Sequence, residues 1–216
     1  MKQVLLLYYL LCSGFITAQL TITQEFDFNT RKIEIDTEGV GEIQISTSDK
    51  IKTIRVTLIS MSENTPYEVD KKEEDDVLKI SFVAGIPASE TTVFRKFITK
   101  GSVKASVKIE IPKNKDITIL GKRVDVISKS YNGNLFILIE KGFVNFHTVL
   151  KNVYLQLFQG NVYAKVKNMN MQIQTNKGKF MINDEPTISP YKKVKETYKT
   201  TFEVNSINAN IFIERN

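Results

Sequence analysis

The residues that could carry chemistry in this chain are few. Its 216 residues include one histidine, His147, and one cysteine, Cys12. A catalytic triad needs a nucleophile, a base and an orienting acid brought together, and a zinc site needs several nitrogen, sulfur or carboxylate ligands. His147 lies between Phe146 and Thr148 in a strand-like stretch without a neighbouring carboxylate, so it reads as a surface residue. Carboxylates gather at Glu73 to Asp76 and at Asp184–Glu185. Both groups sit in polar, irregular segments and read as solvation rather than as the acid pair of a glycosidase. Asp116 and Asp125 share a position in the repeat described below, and Glu140 does not join them. No phosphate-binding loop, dinucleotide fingerprint or calcium-binding Gly-Gly-x-Gly-x-Asp repeat occurs. The sequence predicts no catalytic residue, no metal and no cofactor. What remains is binding. Phe136, Tyr154 and Tyr163 are expected to form an exposed aromatic patch, serving either as cross-strand packing or as a contact surface for a polymer or protein.

The elements that would position these rings follow from a repeat. Steps of nine from Ile117 give Val126, Leu135, Val144, Val153, Val162, Met171 and Phe180, all apolar. A second ladder, two residues further on, runs through Ile119, Ser128, Ile137, Phe146, Leu155, Ala164, Ile173 and Ile182, with only Ser128 polar. Apolar residues two apart are the signature of a strand, because side chains alternate between its faces. Gly133, Gly142, Gly160 and Gly178 share one register two residues before the first ladder, where turns need glycine. The fold class predicted is all-β: a single-stranded parallel β-helix or β-solenoid with strand–turn units of about nine residues. Two units would make a two-sided coil, and three a three-sided one. An antiparallel β-sandwich or barrel is the alternative. Unbroken register over 115–182 favours stacked coils, since a one-residue slip would turn the apolar set outward. Phe136, Tyr154 and Tyr163 each occupy the class of positions one residue after the first ladder, on the outer side.

The chain opens with a segment that is not part of this pattern. Lys2, the apolar run Val4 to Leu11 and the Ile16-Thr17-Ala18 end read as a secretory signal peptide over residues 1–18. The run is too short to span a bilayer. Leu11 stands where a lipid-attachment signal needs a small residue, which argues against a lipoprotein anchored through Cys12. Removal of the signal leaves no cysteine, so an exported chain would hold without disulfides, a pattern that suits a bacterial envelope. No later apolar run reaches membrane-spanning length. The net charge is +6, spread along the chain, with Lys192, Lys193, Lys195 and Lys199 the densest group. No nucleic-acid-binding motif accompanies it.

Residues 19–216 read as one domain. Its part over 19–111 alternates more loosely, in strands such as Lys32 to Thr37, Glu42 to Ser46, Thr53 to Ser60, Val77 to Val83 and Ser102 to Ile111. Ser62 to Asp76, the loop 84–101 and the segment 183–200 interrupt the pattern, and long loops of this kind are often functional. Closing strands within 201–214, Thr201 to Val204 and Ala209 to Glu214, are expected to cap the open end of the stack.

Several of these stretches carry a family resemblance. RKIEIDTEGVGEIQISTSDKIKTIRVTLIS (Arg31 to Ser60) resembles the first strands of bacterial adhesin-type domains of unknown function. VKIEIPKN (Val107 to Asn114) is similar to their strand-plus-proline lead into the repeats. The glycine-rooted ladder and FEVNSINANIFIERN resemble their later coils. The resemblance implies a β-solenoid of the cell envelope with no catalytic residues to carry over. This chain departs from the commoner Ser-Gly-Asp turn, showing Asn132-Gly133-Asn134, Lys141-Gly142-Phe143 and Gln159-Gly160-Asn161 instead.

Together these readings predict an exported, non-catalytic, adhesin-like envelope protein, in the periplasm or at the cell surface or outer membrane. It would present a β-solenoid surface to an envelope polysaccharide or another protein, with 84–101 and 183–200 as contact points. A nucleic-acid partner is not expected. The alternatives are a carbohydrate-active enzyme on a β-helix scaffold, and a purely structural or signalling envelope component.

Overall fold

The computed structural model describes residues 20–50, 52–60, 67–84 and 105–215. The expected signal peptide with Cys12, and residues 85–101 of the interrupting loop, lie outside these described residues. Every element among the described residues is a strand. In chain order they are β1 (Leu20–Phe26), β2 (Lys32–Asp36), β3 (Val40–Thr47), β4 (Ile54–Ser60), β5 (Tyr67–Glu74), β6 (Val77–Ala84), β7 (Ala105–Ile111) and β8 (Asp116–Arg123). There follow β9 (Asp125–Lys129), β10 (Asn134–Val149), β11 (Val153–Val166), β12 (Asn170–Thr175), β13 (Phe180–Ile182), β14 (Glu185–Pro186), β15 (Tyr191–Lys193) and β16 (Thr201–Arg215).

Alternation of apolar and polar residues drives these strands, and burial follows it residue by residue. In β4, Ile54, Val56, Leu58 and Ser60 are buried while the residues between them are partly exposed. The ladders of the repeat are the buried set: Ile117, Val126, Leu135, Val144, Val153, Val162, Met171 and Phe180 all belong to one core cluster.

The pairing is parallel at a step of eighteen. Leu135 lies beside Ile117 and Val153, and Val144 lies beside Val126 and Val162. Two nine-residue units therefore make one level of the stack. β10, β11 and β16 each run through both units of their level and turn a corner between them. The first halves join β8 and β12 in one row, and the second halves join β9 and β13 in another. The two rows share the core: Phe146, from the second half of β10, meets Phe202, from the first half of β16, edge to face at 5.6 Å.

Two expectations need correction. The sheet is mixed, not purely parallel. β4 runs antiparallel to β7 and β1 to β4, β5 antiparallel to β6, β15 to β12 and β14 to β13. β5–β6 and β13–β14 are tight hairpins, whereas the β1–β4, β4–β7 and β12–β15 pairs join strands distant in the chain. At the β5–β6 turn, Asp75 and Asp76 both take positive φ, 52° and 58°, the conformation of a two-residue hairpin. The acidic cluster, read from the sequence as a solvated irregular segment, is the end of this hairpin, and β5 leads into it without a clear apolar alternation.

The second correction concerns the closing strand. It does not cap the end. β16 lies inside the stack, with Phe202 beside both Val153 and Met171, and Ile211 beside both Val162 and Phe180. Met171 consequently does not rest on Val153, as a plain period of eighteen requires. At the other end, β2 and β3 are likewise tucked between β6–β7 and β8–β9. The physical reason is visible in β16 itself: Phe202, Val204, Ala209, Ile211 and Ile213 are all buried, and such a strand gains more between two levels than with one side open to water.

Two kinds of corner contact hold the levels in register. At the first, Arg31 pairs with Asp116 at 3.1 Å, Asn134 Nδ2 donates to Asp116 Oδ1 at 2.7 Å, and Asn152 Nδ2 donates to Asn134 Oδ1 at 3.0 Å. The backbone N–H of Thr201 then donates to Asn152 Oδ1 at 2.9 Å, handing the ladder to β16. At the second corner, backbones approach too closely for side chains. A Cβ on Gly160 would stand 1.9 Å from the Gly142 carbonyl oxygen, and one on Gly142 1.9 Å from that of Val124. Back at the first corner, the buried Tyr131 hydroxyl donates to the Lys115 carbonyl at 2.9 Å, and burial pushes its pKa up.

Candidate binding surface

Each outward face of the two rows inherits the side chains that alternate with the buried ladders. Phe136 and Tyr154 are direct register partners on the outer face of the first row. Tyr163 pairs with Asn145 and Phe212 on the outer face of the second row. The structure therefore brings two of the three expected rings together and places the third on the other row. Tyr154 and Tyr163 are nine residues apart, which is half a level.

Tyr163 has company of its own. Its ring stacks on Phe212 at 4.7 Å with 17° between planes, and it meets Phe143 at 5.3 Å. Sequence reasoning missed both partners. Phe143 sits in the corner, outside the alternation, and Phe212 belongs to the inserted strand, forty-nine positions away. Rings stacked in this way are worth about 0.5–1.5 kcal/mol beyond their burial, so this cluster has a packing role.

The first-row face is different. Phe136 is 43% exposed, and Leu138, Phe158 and Ile207 are exposed beside it. Leu138, Tyr154, Phe158 and Ile207 line a cleft of about 530 Å³ that runs across the strands at the corner. Among the described residues, neither Tyr154 nor Phe158 makes a ring–ring contact. Leu138 was legible as the next outward position after Phe136. Phe158 and Ile207 continue the same outward alternation, two residues beyond Gln156 and Asn205, though neither falls in the class of positions one residue after the first ladder.

The carboxylates take structural places. Asp116 is held by Arg31 and Asn134, and Asp125 accepts the backbone N–H of Phe143 at 2.8 Å. Glu74 accepts from Lys79 at 3.1 Å, which holds its carboxyl below the usual range. Asp184 occupies a turn at φ 64°. His147 is exposed. Among the described residues no cluster of histidine, cysteine, aspartate or glutamate is suited to hold a metal, and no helix is long and apolar enough to cross a membrane. The segment 183–200 carries the short strands β14 and β15 and exposes Ile188 and Val194.

No family model matches the chain, and no curated protein matches it. Among solved structures, it aligns with a candidate cell adhesion protein of Clostridium sporogenes with a TM-score of 0.63. The alignment covers 92% of this chain and 100% of that one, at 13% identity. The two proteins share a fold. A candidate adhesin of Bacteroides fragilis aligns over 94% of this chain and 100% of its own, at 15% identity and a TM-score of 0.31. A further candidate adhesin, of Parabacteroides distasonis, gives 14% identity and a TM-score of 0.29, over 91% of this chain and 97% of its own.

Proposed function

We propose that this chain is an exported, non-catalytic, adhesin-like protein of the bacterial envelope, a single flattened β-solenoid domain whose outer faces bind an envelope polymer or another protein. The observation that carries this reading is the exposed apolar face formed by Phe136, Leu138, Tyr154, Phe158 and Ile207 on rigid, cross-linked strands. Isolated exposed apolar residues are ordinary, but a contiguous group beside a cleft marks a contact surface. The fold shared with the Clostridium sporogenes protein supports the adhesin-like reading, and the fold alone carries no ligand. Export rests on the signal-peptide pattern of residues 1–18, with cleavage after Ala18.

The test is retention on isolated bacterial envelopes. The purified protein is expected to be retained, and Tyr154→Ala is expected to reduce retention several-fold without changing the melting temperature. Retention unchanged by Tyr154→Ala and by Tyr163→Ala alike would count against both aromatic faces and favour a structural role. Mass spectrometry of the exported protein checks cleavage after Ala18.

A further inference from the structure

The cleft on the first row has a composition that narrows its ligand. We infer that it binds a neutral polysaccharide lying along the stack, across the strands; this rests on the surface-binding reading above. Three features of the lining carry the inference.

The first is charge. The chain has thirty lysines and arginines, yet none of them lines the cleft, whose one charged side chain is Glu140. An anionic polymer would find no cation there to pair with, and the single carboxylate would repel it. The second is a row of amides. Gln156 is the register partner of Asn205, and Asn205 of Gln174, so three amide side chains sit on three adjacent strands. Each amide offers donors and acceptors together, the combination that neighbouring hydroxyls of a sugar require. Asn205 is held in place by donating from Nδ2 to Glu203 at 3.0 Å.

The third is the state of the rings. Tyr163, on the other row, already spends one ring face on Phe212. Tyr154 and Phe158 spend none on other rings among the described residues, which leaves their faces for the C–H surface of a pyranose. The geometry also suits a linear chain. Strands stand ~4.8 Å apart, close to the advance of one pyranose in an extended polymer, so successive sugars would meet equivalent positions on successive levels. A folded protein partner would press a flat apolar patch against the rings and leave the amide row to be satisfied by chance.

Affinity electrophoresis of the full chain through gels containing barley β-glucan, mannan or dextran tests this, with polygalacturonate as the charged control. Retardation is expected in at least one neutral gel, unchanged by 0.5 M NaCl (roughly a 4–5 Å screening length), and absent with polygalacturonate. Tyr154→Ala and Phe158→Ala should each weaken binding about tenfold, with Gln156→Ala weaker as well and Phe212→Ala unaffected. Retardation by polygalacturonate alone, none by any neutral gel, or equal binding by the Tyr154 and Phe158 variants would overturn the inference. The envelope assay separates the two failures. Envelopes that retain the protein through Tyr154 while the neutral gels fail would overturn only the choice of ligand. Envelopes that do not retain it would overturn the surface-binding reading as well.

Discussion

The levels built by β8 through β11 and the level built by β16 do the same job by different means. In the first region, partners stand eighteen residues apart, each corner leads directly into the next level, and chain order equals spatial order. In the second, partners stand forty-nine residues apart on one side and thirty-one on the other, and the chain must travel past its final position before returning to it. Both regions bury apolar ladders, but at its corners the inserted level carries Thr201 and Ala209 where the regular levels carry Asn152 and Gly160. The difference teaches that the interior ladder is a property of position in the stack, not of distance along the chain: Phe202 replaces Met171 as the neighbour of Val153 because it fits the same slot.

Removing β16 should break that comparison most severely. A chain ending at Thr200 would leave β11 and β12–β13 facing a gap rather than trimming an end. Thermal unfolding followed by circular dichroism is expected to lose its cooperative transition altogether; a loss of only a few degrees would mean that β12 can close directly on β11. The next largest effect lies at the glycine corner. Gly160→Ala would drive a methyl into the Gly142 carbonyl at a φ of 153° and should cost about 3 kcal/mol or more in urea denaturation. At the corresponding corner of the inserted level the residue is Ala209, beside Gly160, and Ala209→Gly should cost only about 1 kcal/mol. Equal costs would erase the distinction between the two corners.

Smaller effects sharpen the comparison. Asn152 is the joint between the regions, bonded to Asn134 on one side and Thr201 on the other. Asn152→Ala should cost about 1–2 kcal/mol, and Asn134→Ala less, since both links of Asn134 are to side chains and its loss leaves no backbone N–H of β16 without its partner. Finally, Tyr131 sits by the regular region alone. Because burial raises its folded pKa above the ordinary value near ~10, its contribution is present in full below about pH 10 and declines as pH rises beyond it. The stability advantage of the wild type over Tyr131→Phe, about 1 kcal/mol near neutrality, should therefore hold up to about pH 10 and shrink as pH rises above it in urea titrations.

Much of the central architecture was legible because it is periodic. The ladders through Leu135, Val144, Val153 and Val162 identify strands, their inward faces and the two-unit level. The place of β16 was not legible, since Thr201 to Glu214 carries the same alternation whether it ends the stack or divides it. The three candidate rings divide between two rows for a related reason. Phe136 and Tyr154 differ by a full level and meet, whereas Tyr154 and Tyr163 differ by half a level and face away from each other. Counting in nines finds equivalent positions, and only counting in eighteens finds neighbours. Phe158 lies one level from Glu140, so a count of eighteen reaches it from a charged residue and not from another ring, and Ile207 joins it only through the inserted strand.

The tucked position of β16 bears on the order of synthesis. β12 to β15 leave the ribosome before β16 does, yet the surface on which β12 and β13 rest is β16 itself. A nascent chain can assemble the levels of β8 to β11 early, but β12 to β15 must wait, unpaired or provisionally paired, for β16 to arrive. The level built by β16 is therefore completed only after the levels of β8 to β11, although it lies between them and β12.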